Sequence, residues 1–145
     1  MLSLPEYGWT DFSISDAKYP LSYITNVPID WLMAAVYGLK NWSPFTVYGD
    51  CETTDVYCTV TETFCHVIYE GYEETPETYF VSLTMLDFCK ALYSDISKDI
   101  DAWSDWNHYD DETFRQNYKR KLLALLDELG TLIKKVERDP WSRQY

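Results

Sequence analysis

Two histidines, His66 and His108, and four cysteines, Cys51, Cys58, Cys65 and Cys89, are the side chains best suited to nucleophilic or metal chemistry. Cys65 and His66 are neighbours, the composition of a thiolate–imidazole pair. Successive residues of a strand point to opposite faces, so this pair is poorly placed for proton transfer, leaving Cys58 or Cys89 as the alternative thiol for His66. His108 sits in the acidic stretch Trp106-Asn107-His108-Tyr109-Asp110 and reads as an exposed loop residue. Cys51, Cys58 and Cys65 recur every seven residues. An odd interval on an extended chain alternates faces, so they converge only through turns. With no CxxC pair and no histidine at ligand spacing, they read as reduced core or sheet cysteines rather than as metal ligands or a disulfide. The chain has no G-x-S-x-G, Walker phosphate loop, G-x-G-x-x-G or H-E-x-x-H. Asp99-x-Asp101-x-x-x-Asp105 lacks the central glycine and final glutamate of a calcium loop. With 24 carboxylates to choose from, a glycosidase-type acid pair has no specificity as a signal. No catalytic, cofactor-binding or metal-ligating residue is therefore assigned, and the expectation is a protein that is not an enzyme and needs no cofactor.

The carboxylates matter instead as a field. Residues 1–112 carry 20 acidic and 4 basic side chains, whereas residues 113–145 carry 4 acidic and 8 basic ones. The acid is densest over residues 70–112, where 12 carboxylates meet only Lys90 and Lys98. Such a surface repels nucleic acid and anionic membranes and attracts a basic protein, acting mainly on encounter rate and specificity. The chain also has 13 tyrosines and 6 tryptophans. Beside carboxylates, these flat amphipathic rings suit an interface, where they bury area while the acids meet lysine and arginine. Candidate partner-binding residues are Glu70, Tyr72, Glu73, Glu74, Glu77, Asp101, Asp105, Trp106, Tyr109, Asp110, Asp111 and Glu112. Tyr57, Tyr69, Tyr72, Trp106 and Tyr109 are the aromatics expected to be exposed, while Phe12, Trp31 and Phe88 belong to apolar faces. The competing reading is a solvated acidic surface kept for solubility.

Local patterns supply the elements that must position these groups. Residues 11–14 alternate as a strand, and residues 19–24 form a second extended piece whose Pro20 favours an edge. Thr25-Asn26-Val27-Pro28 opens a helix through Trp31, Leu32, Ala35, Val36 and Leu39, weakened by Gly38 and stopped at Ser43-Pro44. Residues 45–50, 56–60 and 64–69 read as an antiparallel meander, with residues 61–63 a turn, a bulge or more strand. A charged loop over residues 71–77 leads to a last strand, 78–83. Thr84 caps a helix whose apolar face runs from Met85 to Trp103. Asp99 intrudes on that face and predicts a kink, and the like-charged spacings Asp95/Asp99 and Asp101/Asp105 are locally unfavourable. Asp110 or Asp111 caps a final helix from Phe114 to Val136, in which Gly130 is either an end or a weak point. Its basic cluster, Arg115, Lys119, Arg120 and Lys121, can hold the domain together by facing the chain's own acidic strands.

These elements predict an α+β fold: an antiparallel sheet of about four to six strands with about three helices packed on one face. Residues 1–139 form a single domain, with 140–145 a loosely held tail. The first residues have neither a basic segment nor a long apolar run, and the longest apolar stretch, residues 31–37, is too short for a bilayer, so a cytoplasmic protein is expected.

The order of features, Tyr7-Gly8-Trp9, Ser22-Tyr23-Ile24, an acidic meander, Leu86-Asp87-Phe88, Trp106 and a helix over residues 114–129, resembles that of small acidic bacterial immunity proteins of polymorphic-toxin and contact-dependent inhibition systems. The resemblance covers most of the chain as a texture of aromatics and spacing. It implies a protein that blocks a toxin domain, often a basic nuclease, by stoichiometric binding, and it assigns no functional residue. The alternatives are a nucleic-acid mimic that inhibits a DNA-binding enzyme, and a small-molecule enzyme or binding module built on the sheet.

Overall fold

The computed structural model describes residues 1–72, 75–107 and 110–139. It is an α+β fold with ten elements. In chain order they are β1 (Trp9–Ile14), β2 (Ala17–Ser22), α1 (Val27–Asn41), β3 (Phe45–Asp50), β4 (Thr54–Val60), β5 (Cys65–Gly71), β6 (Glu77–Val81), α2 (Met85–Ser97), α3 (Ile100–Ser104) and α4 (Glu112–Arg138). The expected single sheet is two: a β1–β2 hairpin, and a four-stranded antiparallel meander in the order β3-β4-β5-β6. The expected three helices are four, because the acidic helix breaks at the position Asp99 marked. Asp99 leaves the helical path and caps α3, accepting the Ala102 N–H at 3.0 Å.

Alternation along the meander decides its two faces. Phe45, Val47, Val56, Cys58, Val60, Cys65 and Val67 point inward and are buried. All of the remaining elements lie on that side. At the Phe45 end α1 and α2 close over the sheet, with Phe88 packed against both Phe45 and Trp31. At the Gly49 end the β1–β2 hairpin does so, through Leu21 over Gly49 and Tyr19 against Tyr69 and Tyr79. Tyr69, expected to be exposed, is therefore half-buried against this core. α4 lies over α1, α2 and α3 and buries Tyr118, Leu122, Leu126, Leu129, Ile133 and Val136. It runs on through Gly130, where the ring of Tyr93 fills the space a side chain would take.

Gly38 has a similar role. A Cβ built on it would lie 2.2 Å from Cδ1 of Phe45, whose ring is buried. The glycine that weakens α1 as a helix is what lets α1 approach β3. A Gly38→Ala change gains up to about 1 kcal/mol of helix propensity. It forces an overpacked ring at a cost of about 1–3 kcal/mol. The expected result is a net loss of stability, read as a lower urea midpoint with an unchanged slope. A raised midpoint would show that Phe45 moves aside freely.

Candidate functional site

Trp106 corrects the sequence reading. It was expected on the surface among partner-binding residues, yet it is fully buried. Its indole N–H donates to the carbonyl of Thr25 at 2.9 Å, and its ring lies 5.7 Å from that of Trp103. Polar neighbours in sequence suggested a loop, but the i, i+3 spacing from Trp103 keeps both rings on one side of a helical turn. Trp106 belongs to the core.

The acids around it are substantially matched within the chain. Lys119 of α4 meets Asp101 at 2.9 Å, and Arg115 meets Asp105 at 3.1 Å and Glu112 at 2.9 Å. Asp105, then Glu112, holds the Arg115 guanidinium more firmly charged, and hydrogen bonds from Gln116 and Arg115 lower the Glu112 carboxyl. Asp111 accepts the Phe114 N–H at 3.2 Å as the cap of α4. Asp95, one half of an unfavourable sequence spacing, accepts the Leu2 N–H at 2.9 Å. Two of the four residues of the basic cluster, Arg115 and Lys119, thus face acids of the chain itself, on α3, its C-terminal end and the first turn of α4 rather than on strands as expected, while Arg120 donates to Asn117. Asp110 is exposed, while Glu73, Glu74 and Tyr109 lie outside the described residues.

Among the described residues a different surface has no such ion pairs. Between Lys40 and Lys90 the sequence has nine carboxylates and no lysine or arginine, and this interval contains the whole meander. Its outer face carries three rows of side chains set by the strand register. Thr46, Thr59, His66 and Phe80 form one row, and Tyr48, Tyr57, Ile68 and Thr78 the next. Asp50, Asp55 and Glu70 form the third, at the end of the sheet. None of the hydrophobic side chains in the first two rows belongs to the core or packs against it. The face is nonetheless rich in rings. Tyr48 stacks on Tyr57 at 4.9 Å, His66 on Phe80 at 4.7 Å, and Phe64 meets Phe80 edge-on at 5.5 Å. Phe80 is 70% exposed.

Like carboxylates directly opposite across a ladder are destabilising. Asp55 sits between Asp50 and Glu70 in that position. The tyrosines relieve it in part. Tyr48 donates its hydroxyl to Asp55 at 2.5 Å, which raises the phenol pKa, and burial followed by the charges of Asp55 and Glu70 raises that of Tyr57. Of the sequence candidates, Glu70, Tyr72 and Glu77 lie at this end of the sheet, and Tyr72 is 94% exposed. Asp55, Glu70 and Tyr72 line an open depression with Thr53 and Gly71.

The cysteines lie on the other side. The turn over residues 61–64 brings Cys58 and Cys65 to the same inner face despite their odd spacing, and Cys89 joins them from α2. All four are free thiols; burial pushes Cys89 up to about 12 and raises Cys51, while the hydrogen bond with Cys65, then burial, raises Cys58. The protonated thiol, not the thiolate, is thereby favoured at these three. His66 is on the opposite face from Cys58 and Cys65, bonded to the Thr78 hydroxyl. Among the described residues no group of three His, Cys, Asp or Glu side chains is placed to hold a metal ion, and no helix is long and apolar enough to cross a membrane.

The architecture is thus α+β with a four-stranded meander covered on one face and presenting rings and carboxylates on the other. Compared with known protein families, curated proteins and solved structures, the chain matches none of them.

Proposed function

We propose that this protein binds and neutralises a basic toxin domain, in the manner of an immunity protein, using the outer face of the meander and its acidic end. The observation that carries this reading is the coincidence of exposed rings with an uncompensated row of carboxylates, in a 49-residue interval with no lysine or arginine. Rings supply contact area at little entropic cost, and the acids steer and register a cationic partner. The like-charged row is unfavourable in the free protein and becomes favourable once arginine or lysine lies against it. The ridge formed by Asp101, Asp105, Asp110, Asp111 and Glu112 supports the same sign of field more weakly, since Arg115 and Lys119 already meet part of it.

The test begins with the tagged protein recovered from its source cell at low salt and its partner identified by mass spectrometry. The complex is then re-formed from purified components. The expected outcome is a stoichiometric complex that abolishes the partner's activity, with affinity falling as salt is added, mainly through slower association. Binding indifferent to salt, or a complex that leaves the partner active, overturns the reading.

A further inference from the structure

The outer face ends at β6, whose far side pairs with no described strand. Which backbone groups it presents follows from the hairpin before it. Thr61 N–H donates to Phe64 C=O at 2.9 Å, so residues 61 and 64 are a hydrogen-bonded pair. The alternation of an antiparallel ladder then turns His66 toward β4, and Cys65 and Val67 toward β6. In β6 their partners Val81 and Tyr79 face inward to β5, which leaves the N–H and C=O of Thr78 and Phe80 directed away from the sheet. Pro76, next in that alternation, needs no partner for its nitrogen.

Sheet edges of this kind are ordinarily blunted by lysine, by a bulge or by a covering element. β6 has no lysine, its register with β5 runs without a bulge, and the exposed Phe80 ring stands on the outer face at that edge. Glu77 is exposed at one end of the strand. A second copy of the chain would bring its own Glu77 to the same edge, like charge against like. An arginine- or lysine-bearing segment brings the complementary charge.

We propose that the partner docks by adding a basic, extended segment alongside β6 as a fifth strand. It bonds to the backbone of Thr78 and Phe80, with alternate side chains lying over Phe80 and His66. This rests on the reading of the outer face as the docking surface, and it adds the mode of attachment. Backbone bonds at the edge supply affinity, and the side chains that reach the face supply specificity.

The probe is a disulfide-cyclised β-hairpin peptide whose free edge alternates arginine with valine, compared with its glutamate–valine counterpart. Binding is measured by calorimetry, and protection of single amides by hydrogen exchange. The arginine hairpin is expected to bind and to protect the amides of Thr78 and Phe80; the glutamate hairpin is expected to do neither. Thr78→Pro removes an outward N–H and no backbone bond to β5, so it should weaken binding about tenfold or more; Thr78→Val gives up the same hydroxyl bond to His66 but keeps the outward N–H, and should keep binding. Methylating the outward backbone nitrogens of the hairpin makes the same test from the other side and leaves the protein untouched. Equal binding by the methylated hairpin, unprotected amides at Thr78 and Phe80, or no binding at all overturns strand addition. If the identified partner still binds in a salt-dependent way, the reading of the face stands without it. If arginine and glutamate hairpins bind alike, both fall. Self-association of the protein that Thr78→Pro abolishes assigns the edge to a second copy instead.

Discussion

Replacing Trp106 by alanine is expected to remove about 3–5 kcal/mol of stability, the usual cost of deleting a buried indole. The ring is completely shielded and packs on Trp103, and its N–H holds the carbonyl of Thr25, 81 residues away in sequence. Thr25 precedes Asn26, the N-cap of α1, so this one bond ties the corner after α3 to the start of the first helix. Folded domains are stable by only about 5–15 kcal/mol, so the loss is a large fraction of the whole. Trp106→Phe separates the two contributions. It keeps most of the packing and leaves the Thr25 carbonyl without its donor, for an expected cost of about 1–3 kcal/mol. Urea denaturation of the three proteins measures both. A Trp106→Ala protein with the parent midpoint would return the ring to the surface and reopen its role as a contact residue.

That residue also shows where local sequence logic stops. The strands of the meander were legible because Val56, Cys58 and Val60 alternate with Tyr57 and Thr59, and a period of two has one structural solution. The cap at Thr84 was legible, and that of α4 was legible to within one residue, Asp110 or Asp111; Thr84 and Asp111 each accept an N–H from three residues ahead. The fate of Trp106 depends on Thr25, and the division into two sheets depends on how the β1–β2 hairpin meets Gly49. Neither leaves a mark within a few residues. The pairing of Arg115 with Asp105 and of Lys119 with Asp101 is of the same kind: composition showed an acidic and a basic segment, and only the docking of α4 on α3 makes one the counterion of the other.

The candidate face was half legible. Charge density alone pointed to Glu70, Tyr72 and Glu77. Asp55, Tyr57, His66 and Phe80 were missed as a group, although two signals were present. One is the run from Lys40 to Lys90 without a cation. The other is that the strand positions opposite the buried set carry Tyr48, Tyr57, Ile68 and Phe80, where a solvated sheet face would carry lysine or glutamate.

The Asp55→Lys/Glu70→Lys variant should separate function from stability. Each reversal replaces an attraction for a cationic partner by a repulsion of several kcal/mol. With each 1.4 kcal/mol equal to a factor of ten, the pair should lower affinity by about a thousandfold or more. Stability should move differently. Asp55 stands between Asp50 and Glu70, so in the double variant the pair with Asp50 becomes opposite-charged, for a gain of about 0.2–1 kcal/mol, while positions 55 and 70 stay like-charged. The variant forfeits the hydroxyl bond from Tyr48, leaving a net change within about 1 kcal/mol of zero. The control is Asp101→Lys/Asp105→Lys, which breaks the ion pairs to Lys119 and Arg115 and should lower affinity by less than about tenfold. Binding is measured against the identified partner, and stability by urea denaturation. If the α3 reversals are the ones that abolish binding, the docking surface is the α3–α4 corner and the meander's outer face is a solvated one. If the sheet reversals abolish it at undiminished stability, the negative charge aligned across β3, β4 and β5 serves the partner, since opposing like charges across a ladder do not stabilise the fold.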